Sequence, residues 1–495
     1  MTEFCGKLVS VIGAARSGLD AARVLTRHGA DVLLLDSQSA SKLGPKRMAE
    51  IEATGARWMV SATAERVEGS RAGPMRSSGG MRYTAGATVE TALPPGTELV
   101  ITSPGVPKSA PILCAAVERA IPVWSEIELA YRLTRLPLAA ITGTNGKTTT
   151  TLLLAAMLRA SGLEAHIAGN VSADEIKRTL VDAADTETSG VIVAEISSFQ
   201  LEWVERFAPR VGILTNVTPD HLNRHRDFAE YAATKARLFA AQGSEDWAIL
   251  NYDNPAARQI GASGLPGQRI WFTRQEAPTN TGPGAWIEHD TAMLRTEADR
   301  PAQPLFRLDD IPATLPGAHN IENAMAAGAA ARLLGAPHDG IAAGLRGFRG
   351  VPHRMEWVAD IDGRRYINNS MCTNVAAGIS SLLALDRPAI VIAGGADKDL
   401  DFAPLVPALQ ERARTLILIG TAADKMEATL RAGGYDQIER AASLEEAVSR
   451  AGQLAHSGDA VILTPVCASF DMFADFEDRG NAFRRAVHAL KETAR

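Results

Sequence analysis

Residues Gly143-Thr144-Asn145-Gly146-Lys147-Thr148-Thr149 form a glycine-bounded loop ending in Lys-Thr, set between the apolar run Leu138–Ile141 and a helical pattern over Leu152–Leu158. These residue types in this order suit a nucleotide phosphate cradle. Gly143 and Gly146 let backbone N–H groups turn inward, Lys147 offers an ammonium to the outer phosphates, and Thr148 offers a hydroxyl to Mg²⁺. ATP is therefore the first ligand the chain implies. The loop is shorter than G-x-x-x-x-G-K-[ST], because Ile141 stands where the first glycine would be.

Two further groups belong with the loop if the strands are parallel. Val191–Ala194 runs into Glu195-Ile196-Ser197-Ser198-Phe199-Gln200, and Val211–Leu214 runs into Thr215-Asn216-Val217-Thr218-Pro219-Asp220-His221. Strand C-termini share one edge of a parallel sheet, so Glu195 and His221 are expected near the Mg²⁺ held by Thr148. Lys235, on a helix expected over Tyr231–Ala241, would by itself pass as a solvent-facing lysine.

The elements that position these groups read as three α/β units. The first has a strand at Leu8–Ile12, the turn Gly13-Ala14-Ala15-Arg16-Ser17-Gly18, a helix over Leu19–His28 and a strand at Val32–Leu35 closing on Asp36. Its turn keeps the outer glycines of G-x-G-x-x-G, but Ala15 fills the middle position and discourages close approach of a pyrophosphate. A ribose or uracil contact at Asp36 remains open, as does simple Rossmann-like packing. Leu99–Thr102 leads into Ser103-Pro104-Gly105-Val106-Pro107, and a helix is expected over Ala110–Ala120. Val67–Gly96, rich in Gly, Ser, Arg, Pro and Thr, reads as a surface insertion without chemistry. The third unit follows Val351-Pro352-His353-Arg354, with strands near Arg365–Ile367, Ala389–Ala393, Leu416–Ile419 and Ala460–Leu463. Gly394-Gly395-Ala396-Asp397-Lys398 and Thr464-Pro465-Val466-Cys467-Ala468-Ser469 end two of them, where a carboxylated ligand could bind.

Composition agrees with this division. The chain has 495 residues, 46% hydrophobic and 22% charged, which fits several globular domains. Boundaries are expected at 1–125, 126–350 and 351–495, with hinges near Glu126 and Gly350. The net charge of −6 gives no basic field, which argues against nucleic acid as main partner. Cys5, Cys114, Cys372 and Cys467 lie far apart, without metal or disulfide spacing. Neither a leader nor a membrane span is read, so a cytoplasmic protein acting on small molecules is expected.

Taken together the segments resemble the Mur ligases, in their glutamate-adding branch, over nearly the whole chain. The resemblance rests on Gly143–Thr148, Glu195-Ile196-Ser197-Ser198-Phe199-Gln200-Leu201-Glu202, Asn216–Leu222, His353-Arg354-Met355-Glu356, Cys467–Asp471 and Phe476-Glu477-Asp478-Arg479-Gly480-Asn481. It implies a three-domain α/β enzyme: an N-terminal Rossmann-like domain for a uridine nucleotide, a central P-loop ATPase domain, and a C-terminal Rossmann-like domain for the amino acid. The implied reaction joins D-glutamate to UDP-N-acetylmuramoyl-L-alanine through an acyl phosphate, with ATP and Mg²⁺ at two sites, by a monomer.

Residue by residue, the resemblance makes Lys147, Glu195, His221 and Lys235 catalytic. Thr148, Glu195, His221 and a carbamylated Lys235 become metal ligands, and Asn323 and Arg354 join the loop in holding ATP. Arg16, Ser17, Asp36, Ser103 and Asn170 fall to the uridine substrate, and Thr373, Lys398, Ser469 and Phe476 to glutamate. One departure stands out: the usual Asp-Ser-Lys-Ala-Thr-Asn reads Asn369-Ser370-Met371-Cys372-Thr373-Asn374. Losing an ammonium beside the amino-acid site removes a contact worth ~1.5–3 kcal/mol if desolvated. L-glutamate or another amino acid is therefore the alternative acceptor. Gly13–Asp36 alone would suggest a dinucleotide oxidoreductase, and Ala15 together with the phosphate loop argues against it.

Overall fold

The computed structural model describes residues 3–60, 93–171, 178–221, 224–275, 282–312, 315, 317–397 and 400–493. Most of the Val67–Gly96 segment, and Lys398, lie outside the described residues.

Three sheets organise the chain. The first is five-stranded and parallel, ordered Arg57–Val60, Asp31–Asp36, Leu8–Ile12, Leu99–Thr102, Val123–Ser125. The β-rich run Asp31-Val-Leu-Leu-Leu-Asp36 buries its middle residues, as a strand covered on both faces must. The first helix spans Arg16–Arg27, starting three residues before the Leu19 expected from sequence, so Arg16 and Ser17 belong to its first turn.

The second sheet is nine-stranded. Its centre is Leu138–Thr142, flanked in parallel by Val191–Glu195 on one side and Val211–Leu214 on the other. Ala165–Gly169 closes one edge. Trp247–Asn251, Gln268–Phe272 and Gly284–Glu288 extend the other edge in parallel, and Thr291–Arg295 and Gln303–Arg307 finish it antiparallel. That antiparallel edge was not read from the sequence. The helix expected over Tyr231–Ala241 is instead Phe228–Ala236, capped by Asp227 on Glu230 N–H and continued by a 3₁₀ turn at Arg237–Phe239.

The third sheet is six-stranded, with Glu356–Ile361 antiparallel at one edge and Arg364–Asn368, Ala460–Val466, Ala389–Gly394, Ala413–Ile419 and Ile438–Arg440 parallel. Alternate residues of its strands feed two separate cores: Val391, Leu416 and Ile462 on one face, Ile390, Ile417 and Val461 on the other.

The chain forms two compact units, one carrying the first two sheets and the other running from Leu345 with the third. Within the first unit, Val9, Leu25, Leu129, Ile192 and Leu214 belong to one core cluster, and the helix Glu126–Leu133 is buried in it. Among the described residues no helix is long and apolar enough to cross a membrane.

Candidate active site

The central strand Leu138–Thr142 delivers the phosphate loop between the ends of its two neighbours. Gly143 has φ +150° and Gly146 φ +83°, conformations that favour glycine, and a side chain at either would collide with Thr215 Oγ1 or Asn323 Oδ1 respectively. The loop is held from the adjacent strand end: Asn145 N–H donates to Asn216 Oδ1 (3.0 Å), and Thr215 Oγ1 donates to Asn145 O (2.6 Å). The helix Lys147–Ala160 begins directly at Gly146 with no acidic residue in its first turn, so its N-terminal N–H groups favour an anion. Lys147 Nζ lies over the loop, donating to Gly143 O (3.1 Å) and Thr144 O (2.9 Å).

Around this loop the structure places Thr148, Glu195, Asn170, Lys235, Asn323 and His221 of the sequence candidates. Thr148 Oγ1 donates to Glu195 Oε2 (2.7 Å), and Asn170 Nδ2 reaches Glu195 Oε1 (3.5 Å). Lys235 Nζ donates to Gly143 O (2.8 Å) and sits 4.6 Å from the Tyr231 ring centre. Lys235 is 1% exposed, which overturns the solvent-facing reading. Burial first, then the nearby Lys147 charge, lowers its pKa to about 7 against the pull of Asp220 and Glu195. Asn323 lies beside Gly146 and accepts from Thr150 Oγ1 (3.2 Å). His221 has φ +53° and packs its half-exposed ring on Phe199 (4.9 Å) and against Tyr231 (6.3 Å).

Among the described residues no three of His, Cys, Asp and Glu gather as a metal group. The donors present still fit Mg²⁺, which is usually held by one or two protein oxygens plus substrate phosphates. Thr148 and Glu195 supply that partial set beside the phosphate loop.

The uridine candidates gather at the first turn. Asp36 accepts from Ala14 N–H (2.7 Å) and Gln38 N–H (2.8 Å), and Ser103 Oγ donates to Gly13 O (3.0 Å), so both brace the turn itself. Arg16 is exposed and Ser17 half-buried at the helix start. The sequence did not reveal what ties the loop after Leu99–Thr102 to the central unit. Arg224 donates to Val106 O (2.7 Å) and to both oxygens of the buried Glu202 (3.0 and 2.5 Å), with its guanidinium 4.9 Å from the Phe199 ring centre. A motif search finds Glu202 and Arg224 separately; only folding pairs them.

In the second unit, Thr373 and Ser469 lie in loops and Phe476 opens the helix Phe476–Thr493, whose Arg479 reaches the loop residues beside them. This buried guanidinium donates to Ser370 Oγ (3.0 Å), Ser370 O (2.9 Å), Cys467 O (3.2 Å) and Ala468 O (3.2 Å). Ser370 Oγ in turn donates to Phe476 O (2.6 Å). Asn369 is buried, donating to Ser381 Oγ (2.8 Å) and Thr464 Oγ1 (2.7 Å) while accepting from Met355 N–H (3.1 Å). Met371 is half-buried, and Arg354 is exposed beside the buried His353.

Residues 141–331 match the Mur ligase middle domain and residues 353–467 the Mur ligase glutamate ligase domain. Relatives named UDP-N-acetylmuramoylalanine–D-glutamate ligase include that of Pelotomaculum thermopropionicum, 40% identical over 99% of this chain and 100% of the relative. That of Alkaliphilus metalliredigens is 37% identical over 99% of this chain and 100% of its own length. Among solved structures, the UDP-N-acetylmuramate-alanine ligase of Thermotoga maritima has the same fold, with a TM-score of 0.54 at 16% identity, covering 98% of this chain and 99% of that one.

Proposed function

Because this chain belongs to the Mur ligase family, we propose that it adds D-glutamate to UDP-N-acetylmuramoyl-L-alanine at the expense of ATP, in peptidoglycan precursor synthesis. The observation that carries this reading is full-length identity of 40% to a relative of that name, in a chain whose phosphate loop, Thr148 and Glu195 meet at one sheet edge.

A carboxylate is inert toward an amine at neutral pH, so the γ-phosphoryl group passes first to the L-alanyl carboxylate, releasing ADP. The glutamate amine then attacks the acyl phosphate; the new C–N bond forms, the C–O bond to phosphate breaks, and the amine proton leaves. Lys147 and the helix N-terminus stabilise charge on the transferred phosphoryl oxygens. Mg²⁺ held by Thr148 and Glu195 neutralises phosphate charge when bound. Asn170 holds Glu195 in orientation from the neighbouring strand.

Lys235 is suited to carbamylation: an amine with a pKa near 7 is largely neutral just above that pH, and its addition to CO₂ exchanges a cation for a carboxylate facing Lys147. His221, at the adjacent strand end, completes the candidate second metal position. Asn323 and Arg354 are candidate ATP-binding residues, and Thr373, Ser469, Phe476 and Lys398 the candidate glutamate contacts. Soluble small-molecule substrates suit a cytoplasmic monomer.

The test is phosphate release from ATP with UDP-N-acetylmuramoyl-L-alanine and Mg²⁺, comparing D-glutamate, L-glutamate and other amino acids. Turnover with D-glutamate supports the reading. Preference for another acceptor, which Met371 favours, would keep the mechanism and move the specificity.

A further inference from the structure

Glu195 and His221 lie on separate segments, and a second pair of side chains just beyond them joins those segments. Ser198 follows Glu195 by three residues, and His225 follows His221 by four. His225 Nε2 lies 3.1 Å from Ser198 Oγ, with His225 1% and Ser198 3% exposed. The main chain of the same turn closes on His221: the Arg224 and His225 N–H groups both donate to His221 O (2.9 and 3.0 Å). His221 has φ +53°, a left-handed conformation that a histidine keeps only where its surroundings hold it.

His225 Nδ1 is buried and has no hydrogen-bond partner. A buried N–H without an acceptor is costlier than a bare lone pair, so Nδ1 carries no proton and the ring is neutral. The proton is then on Nε2, which donates to Ser198 Oγ. The same ring packs against Phe199 (6.0 Å between ring centres) and Tyr231 (5.2 Å), the two rings that His221 also touches.

We propose that His225 is a positioning residue for the ligation reaction: its side chain, clipped to Ser198, and its backbone, closed on His221 O, fix the spacing of Glu195 and His221 at which a second divalent cation is held. The proposal rests on the reading of His221 as a metal ligand. Mg²⁺ tolerates little departure from octahedral geometry, so a displaced ligand weakens its binding instead of being accommodated. The first cation position does not depend on the clip, because Glu195 is held separately by Thr148 (2.7 Å) and Asn170 (3.5 Å).

The experiment is Mn²⁺ titration followed by electron paramagnetic resonance, with ADP and UDP-N-acetylmuramoyl-L-alanine present, alongside the Mg²⁺ dependence of turnover. It compares wild type with H225F, S198A, their double variant, H225Q and H221A. H225F keeps the ring and loses the Nε2 donor, and S198A removes one oxygen. Each is expected to weaken the second Mn²⁺ by roughly threefold to tenfold, the worth of one buried hydrogen bond, and to raise half-saturating Mg²⁺ alike. The first Mn²⁺ and KM for the amino acid should stay within about twofold of wild type. The double variant should lose no more than either single one, since both remove the same bond. H225Q, whose amide restores a donor, should recover the Mn²⁺ affinity. H221A should lose the second Mn²⁺. Wild-type Mn²⁺ affinity in H225F and S198A, with the loss in H221A present, overturns the positioning role and leaves the metal reading standing; this holds even if their unfolding midpoints fall. A second Mn²⁺ retained in H221A overturns that reading, and the proposal with it.

Discussion

At the scale of single residues, environment decides chemistry more than residue type does. Lys235 and Lys147 both donate to Gly143 O, yet only Lys235 is nearly sealed from solvent, so two ammonium groups compete for one carbonyl and the buried one loses proton affinity. If carbamylation supplies the stable charge pattern, K235A abolishes ligation and added bicarbonate does not restore it; a ¹³C-bicarbonate NMR signal from the carbamate should appear in wild type and vanish in the variant. Unchanged turnover in K235A would end that reading. Met371 poses a separate question. M371K restores an ammonium beside Thr373 and is expected to lower KM for the amino acid by roughly tenfold or more, from a charge-assisted contact of ~1.5–3 kcal/mol. Steady-state kinetics with D- and L-glutamate would report whether it also sharpens stereochemical preference.

At the scale of elements, the site depends on three neighbouring strands ending together. The order Val191–Glu195, Leu138–Thr142, Val211–Leu214 puts the phosphate loop between Glu195 and Asn216, and the glycines are the points of closest approach. G143A forces a side chain onto Thr215 Oγ1 in a backbone conformation that alanine rarely adopts. The expected outcome is loss of ATP binding by calorimetry, with a stability loss of about 1–3 kcal/mol by urea denaturation. Normal ATP affinity in G143A would show that the loop can yield. The helix Phe228–Ala236 serves the same edge: its Asp227 cap fixes the start that brings Tyr231 and Lys235 under the loop.

At the scale of the molecule, the first two sheets share a core, and charged residues buried between them are therefore costly to disturb. R224A leaves Glu202, whose side chain is 1% exposed, without its cation. Breaking such a pair is expected to cost about 3–5 kcal/mol, read from denaturant unfolding; a loss under about 1 kcal/mol would mean that Glu202 finds another donor or a proton. Glu126 acts in the opposite sense. Its folded pKa is raised from 4.5 to about 7, so between those values the native state holds a proton that the unfolded chain has released. Its contribution to stability is therefore present below pH 4.5 and declines as pH rises to about 7. E126Q, which cannot ionise, should melt at a higher temperature than wild type at about pH 8, by up to ~3 kcal/mol in stability, and the advantage should shrink toward acid pH.

The amino-acid sequence by itself determined the phosphate loop, the strands Leu8–Ile12, Leu99–Thr102 and Val211–Leu214, and the meeting of Lys147, Thr148 and Glu195 at one sheet edge, because each depends on local pattern: an apolar run, a glycine at a turn, a polar group at a strand end. The end of the sheet at Gly284–Arg307 was not legible, since its short strands carry no period distinguishing an antiparallel edge from a loop. Nor was the burial of Lys235, the Arg224–Glu202 pair or the Glu126–Gln200–Ser197 chain, for their partners lie far apart in sequence and only packing decides which side chains lose water. The sequence chose the chemical groups and their local geometry; the tertiary structure set their proton affinities, because desolvation exists only once the core has closed.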